Sequence, residues 1–124
     1  MINQEPVNWD QLTMILGEEG DPIDEELADL FRDFIEDVAR RLVLLASLDP
    51  ISDPAGVVHE AHKIRGASLS FGFERFASIL QTVETRVLEL TPEEIGRLLK
   101  TARETFEHSR DLVRRRYAYL APVC

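Results

Sequence analysis

The chain has 124 residues, a single cysteine at its last position and a formal net charge of -9, which suits one domain with an apolar core and rules out an internal disulfide. The charge is uneven: residues 1–49 hold 13 acids against 3 bases, whereas residues 50–124 hold 10 acids against 11 bases. So acidic a chain repels phosphates at long range, which excludes a general nucleic-acid binder. The longest apolar run, residues 42–46, is far short of the ~20 residues of a membrane span. With no charged-then-apolar leader in view, a soluble, cytoplasmic protein is expected, and it is either free-standing or cut from a longer chain.

In chain order, the first helix is predicted over about 8–17, with Asn8 as N-cap and Gln11 three residues on, in the manner of a capping box. Trp9, Leu12, Ile15 and Leu16 give it an apolar side suited to capping a bundle. Gly17, Gly20 and Pro22 break it. A long helix is predicted over about 23–48, with Leu27, Leu30, Phe31, Phe34, Ile35, Val38, Leu42 and Leu45 on its core side. Its other side is acidic (Glu25, Glu26, Asp29, Asp33, Glu36, Asp37) and reads as a solvated face. Asp53 and Pro54 then open a helix to about residue 70, and Gly72 supplies a left-handed stop. The following helix, predicted over 73–90, presents Phe73, Phe76, Ala77, Leu80, Val83, Val87 and Leu88. Thr91, Pro92 and Glu94 start the last one as a capping box, with Ile95, Leu98, Leu99, Ala102, Phe106 and Val113 as its buried stripe. Its end is predicted near Tyr119, and Arg114, Arg115 and Arg116 oppose the helix dipole there. No strand alternation and no internal repeat is present. The predicted fold is all-α: an up-down antiparallel four-helix bundle over about 23–119 with an extra N-terminal helix, in one domain spanning 1–124.

The helix over 54–70 carries the chemistry. At about 100° per residue, Val58, Ala61, Ile64, Ser68 and Phe71 make an inner stripe. His62, Arg65, Gly66 and Leu69 make a second stripe, which sets an imidazole, a guanidinium and a bare patch of backbone side by side in mid-helix. A glycine there costs about 1 kcal/mol against alanine, and close access for a bulky group to His62 is one reason to keep it. Imidazole is the side chain whose unperturbed titration falls near neutral pH, so an exposed one is largely nucleophilic in the cell. One ring nitrogen attacks only if the other holds the proton, and Glu84 on the antiparallel neighbour is where the acceptor for that proton would sit. Arg65, one turn from His62, has the geometry to fork an anion held at the ring.

The run from His62 to Gly72, His-x-x-Arg-Gly-x-Ser-x-x-x-Gly, resembles the signature of histidine phosphotransfer (HPt) domains, His-x-x-Lys-Gly-x-Ser-x-x-x-Gly, which is followed by a helix ending in Leu-Glu; Val83-Glu84 stands in that place here. The resemblance covers roughly residues 23–110. It implies a four-helix bundle and a multistep phosphorelay. His62 would accept a phosphoryl group from the aspartate of a receiver domain and pass it to another receiver. Arg65 would neutralise the phosphohistidine, Glu84 would touch the ring, Gly66 would give access, and Lys63, Leu69 and Phe73 would contact the partner. The expected partners are response-regulator receivers and a hybrid histidine kinase, with no cofactor in this chain and Mg²⁺ on the receiver. Arg65 departs from the family's Lys, Phe73 from its small residue after the glycine, and Phe76 from its Leu, which touches partner preference.

A kinase would need an ATP-binding domain, and the six glycines form no phosphate-cradling loop. His59 and His62 are too few to hold a metal. A helical adaptor with an inert histidine, or a phosphate sink that takes label without passing it on, is the alternative function. A monomer is expected, because a complete bundle buries its own stripes.

Overall fold

The computed structural model describes residues 5–18, 20–22 and 24–117. Among them it places α1 (Trp9–Leu16), α2 (Glu25–Ser47), α3 (Pro54–Ser70), α4 (Glu74–Arg86) and α5 (Pro92–Arg116), with no strand. Helices α2 to α5 pack in a ring, α2 on α3, α3 on α4, α4 on α5 and α5 on α2, while α1 lies against α2. The short joints force each helix to run back along its predecessor, giving the expected up-down bundle with an added N-terminal helix. No helix of the described residues is long and apolar enough to cross a membrane. Ile23 and Tyr119, which the predicted helices included, lie outside the described residues.

The starts of the helices follow local chemistry. Asp24 accepts from the backbone N–H groups of Glu26 and Leu27, Asp53 accepts from Gly56, and Thr91 and Glu94 form a complete capping box. At α1 the cap is present but the box is not. Asn8 Oδ1 accepts from Gln11 N at 3.1 Å, whereas Gln11 Nε2 reaches across to Ser70 O at 3.0 Å. The Asn8 N–H that a box would have served is taken by Gly72 O at 2.7 Å. So α1 is tied to the end of α3 instead of closing on itself.

Two apolar stripes are rotated from the prediction. In α2 the buried side holds Ala28, Phe31, Phe34, Ile35, Val38, Leu42 and Leu45, whereas Leu30 is 54% exposed. Leu30 lies about 200° round the helix from Ala28, and the small Ala28 lets the bundle close there. In α3 it is Val57, not Val58, that is fully buried, together with Glu60, Ala61, Ile64 and Ser68. Glu60 is an acid on the inner side, and Arg41 of α2 meets it at 3.1 Å while also binding Asp37 at 2.9 Å. A carboxylate so enclosed needs a cation beside it. Helix α4 stops at Arg86, four residues before the predicted end, because the chain turns there with Glu89 N and Leu90 N both on Arg86 O. Val87 stays in the core, but Leu88 points outward.

The joint between α3 and α4 is the tightest. Gly72 adopts φ 77°, Gly72 N bonds Leu69 O and Phe73 N bonds Ser68 O, the paired bonds of a Schellman stop. A Cβ on Gly72 would lie 2.6 Å from Asn8 O, so both the backbone angle and the approach of α1 demand glycine. All six phenylalanines of the chain gather round this joint: Phe34 stacks on Phe71 at 4.5 Å, Phe73 sits edge-on to Phe34 at 5.1 Å, and Phe106 joins Phe73 and Phe76.

Candidate functional site

His62 stands on the outer side of α3, beside α4, with its side chain 62% exposed. Its Nδ1 lies 2.7 Å from Oε1 of Glu84, and the other carboxylate oxygen of Glu84 accepts from Arg65 Nε at 2.8 Å. An Arg65 terminal nitrogen also stands 3.1 Å from His62 Nδ1. These three contacts close a ring of three side chains, two from α3 and one from α4.

The ring fixes the imidazole tautomer. Burial pushes the Glu84 carboxyl up, but hydrogen bonds from Arg65 and His62, with the charge of both, outweigh it and hold the carboxyl below its usual range. Glu84 is therefore an anion at neutral pH and only accepts. A carboxylate facing an imidazole lone pair at 2.7 Å would be repelled, so Nδ1 carries the proton and donates it. The Arg65 nitrogen near Nδ1 is then a neighbouring positive charge, not a donor to it. In the neutral form of the ring the lone pair is therefore on Nε2, the nitrogen turned away from Glu84.

The surroundings are open on one side. A Cβ built on Gly66 would meet no heavy atom within 4 Å, so nothing in the fold itself forbids a side chain at that position. Leu69 is exposed on the stripe of His62, and Lys63 is exposed about 100° round the helix from it. A shallow depression beside Arg65 and Leu69 is walled by Ala77, Ser78 and Gln81 of α4. Ser68 points inward, as its register requires, and its hydroxyl donates to Ile64 O at 2.6 Å. Phe73 is a correction. Expected on the rim of the docking face, it is fully buried among the other phenylalanines and offers no surface to a partner. Among the described residues no group of His, Cys, Asp or Glu side chains is placed to hold a metal ion.

Sequence reasoning passed over two features that steady this site. The Arg41–Glu60 pair holds α3 to α2 one half-turn behind His62. Its signal was present: Glu60 falls three residues after Val57 and four before Ile64, in the register of the core. The tie from Asn8 and Gln11 to the end of α3 had no such signal, since polar residues at a helix start usually serve that helix alone.

The family model described as the Hpt domain matches residues 26–111, most of the chain and the whole of the His62–Glu84 arrangement. The chain belongs to the Hpt domain family. No curated protein and no solved structure matches it. Hpt domains are phosphocarriers, not kinases, and serve histidine phosphotransfer in phosphorelays with receiver domains of two-component systems. The matched stretch begins in the first turn of α2, so α1 and its ties to α3 lie outside it.

Proposed function

We propose that His62 is the phosphoryl-carrying residue of this Hpt domain, loaded from the aspartyl phosphate of one receiver and unloaded onto the aspartate of another. Nε2 attacks the phosphorus of the acyl phosphate. The N–P bond forms as the P–O bond to the aspartyl carboxyl breaks, and the bonding pair returns to that carboxylate. The ring becomes cationic with its proton still on Nδ1, and Glu84 stabilises that cation. Transfer onward is the same step in reverse. Such transfer needs chiefly positioning and charge neutralisation, and this chain has groups for both.

Glu84 is the positioning residue for the ring. Arg65 holds Glu84 through Nε and keeps a terminal nitrogen near the ring, where it offsets charge arriving on the phosphoryl oxygens. Gly66 leaves the approach open, and Lys63 and Leu69 meet the receiver. The Mg²⁺ used in the transfer belongs to the receiver. The observation that carries this reading is the 2.7 Å contact between His62 Nδ1 and Glu84, which engages Nδ1 and turns Nε2 away from the carboxylate. The test is transfer of label from a phosphorylated receiver to the native chain and to His62→Gln. Acid-labile label on the native chain alone supports the carrier role. Label that is accepted but never passed to a second receiver indicates a phosphate sink. A receiver that binds but labels neither chain would leave an adaptor with an inert histidine.

A further inference from the structure

The carrier role leaves one imidazole of α3 unused. His59 stands one turn before His62, exposed, and makes no hydrogen bond or ion pair among the described residues. On a helix of about 100° per residue, Arg65 lies about 60° round from His62 on one side and His59 about 60° round on the other. Arg65 meets Glu84 of α4 at 2.8 Å, so its side is the side of α4, and His59 is on the side away from α4. Residues three apart on a helix have their Cβ atoms about 5–6 Å from each other. The ring of His62 is oriented to match. Its Nδ1 is turned to Glu84 at 2.7 Å, and the two nitrogens of an imidazole lie on opposite sides of the carbon between them, so Nε2 is turned from α4 toward the side of His59. Helical side chains also lean toward the N-terminus, which brings the outer end of His62 over the turn that holds His59.

A phosphoryl group on Nε2 spreads negative charge over three oxygens, and a cationic donor beside such oxygens forms a charge-assisted hydrogen bond. Lys63, about 100° round on the same side, is a fixed charge on a long, flexible stem. His59 differs from it, because an imidazole gains its charge between about pH 5 and 8. The other charged groups around this part of α3 have partners of their own. Glu60 of α3 and Arg41 of α2 hold each other at 3.1 Å, and Asp37 of α2 takes Arg40 as well as Arg41. On α4, Glu84 is held by His62 and Arg65, and Arg86 by Glu89 beyond the helix end. Asp53 caps the start of α3. His59 and Lys63 are the groups left to meet an anion there.

We propose that protonated His59 is a second anion-holding group of the carrier site, contacting the phosphoryl oxygens on Nε2 of His62 and making the loaded state more favourable as pH falls, a role that rests on His62 being the carrier. No bond changes beyond those of the transfer itself; loading takes up part of a proton on His59. Linkage then works both ways: the phosphoryl group tightens the hold of His59 on its proton, and that proton favours the phosphoryl group on His62 by the same factor.

The test has two arms on the full chain. In the first, phosphoramidate is the donor, so that no receiver is needed: Nε2 takes the phosphoryl group and ammonia leaves. NMR of the His59 ring in the chain phosphorylated at His62 should show its proton held about threefold to tenfold more tightly than in the unphosphorylated chain. In the second, a labelled receiver is the donor, and the equilibrium share of label on the chain is read at pH 8 and pH 6 for the native chain and for His59→Gln. Protonation of His62 itself acts in both chains, so the ratio between them isolates His59, and it should rise by about threefold or more on going to pH 6. His59→Lys should load well at both pH values, and circular dichroism confirms the fold of each variant. A His59 ring indifferent to phosphorylation, or a flat ratio while His62 takes label, overturns the inference and leaves the carrier role standing. Label taken from phosphoramidate but from no receiver removes the carrier role, and the His59 titration then decides the contact by itself. A His62 that takes label from neither donor overturns both.

Discussion

Replacing Glu84 by alanine tests the tautomer argument directly. The His62–Glu84 bond is charge-assisted, and bonds of that kind contribute a net ~1.5–3 kcal/mol. The ring is mostly in water, with 62% of its side chain exposed, against 16% for Glu84, so the low end applies. About 1.4 kcal/mol corresponds to a tenfold change in an equilibrium, here the preference for the proton on Nδ1 over Nε2. In Glu84→Ala the proton is expected to spend most of its time on Nε2, where it blocks attack. The rate of phosphoryl transfer from a receiver should then fall by about tenfold, without being abolished, because the tautomers interchange through water. Glu84→Gln should lie between: its amide oxygen still accepts from Nδ1–H, but its NH₂ group faces the Arg65 Nε–H donor and that contact is lost. The assays are single-turnover transfer kinetics and nitrogen NMR of the imidazole, with circular dichroism to confirm the fold. A Glu84→Ala chain that transfers at the native rate, with its ring still protonated on Nδ1, would refute the reasoning.

Arg65→Lys keeps the positive charge but loses the pairing of Nε with a terminal nitrogen, so transfer should slow by roughly threefold to tenfold, since a lysine is a point charge and not a fork; the same kinetics read it. Gly66→Ala should raise the thermal midpoint by about 3–5 °C, because the helix gains ~1 kcal/mol of propensity and the new methyl meets nothing. Gly66→Leu should fold as well yet lose receiver-dependent labelling, which separates access from stability. Gly72→Ala should cost at least about 2 kcal/mol in urea unfolding, from its left-handed backbone and the collision with Asn8 O. Acid should weaken the fold through Glu84: its folded carboxyl titrates below the unfolded one, so its contribution is complete above about pH 4.3 and is lost as pH falls through the folded value. Glu84→Gln should flatten that part of the stability–pH curve.

Much of the architecture was legible because helix ends are written locally. Asn8, Asp53, Thr91 and Gly72 act where their chemistry predicted, and the spacing of His62, Arg65 and Glu84 anticipated a real triangle of side chains. What periodicity could not supply was the exact rotation of each stripe. A long helix with apolar residues on more than a third of its circumference admits several buried faces. Whether Leu30 or Ala28 turns inward is decided by how closely the neighbouring helix packs. Phe73 was misplaced for a related reason. The residue after a helix-stopping glycine can leave the fold or turn back into it, and only the surrounding rings of Phe34 and Phe106 determine that it turns back.

That correction changes where partner preference must be sought. Phe73 and Phe76 are the aromatic departures from the family pattern in the stretch after Gly72, and both are fully buried. They therefore act on the scaffold and not on the receiver: with Phe31, Phe34, Phe71 and Phe106 they brace the end of α3, to which Asn8 and Gln11 also bind. Bracing at that end suits a site whose reacting ring is itself exposed. A shift of α3 against α4 would move His62 and Arg65 relative to Glu84. Under the proposed function, discrimination among receivers would fall to side chains that reach solvent around the ring, namely Lys63 and Leu69 on α3 with Ser78 and Gln81 on α4. Exchanging those four residues should alter which receivers transfer label while leaving thermal stability nearly unchanged. Exchanging Phe73 or Phe76 for leucine should lower stability and leave the ranking of receivers as it was. If the phenylalanine variants re-rank receivers at unchanged stability, the division between brace and docking face is wrong.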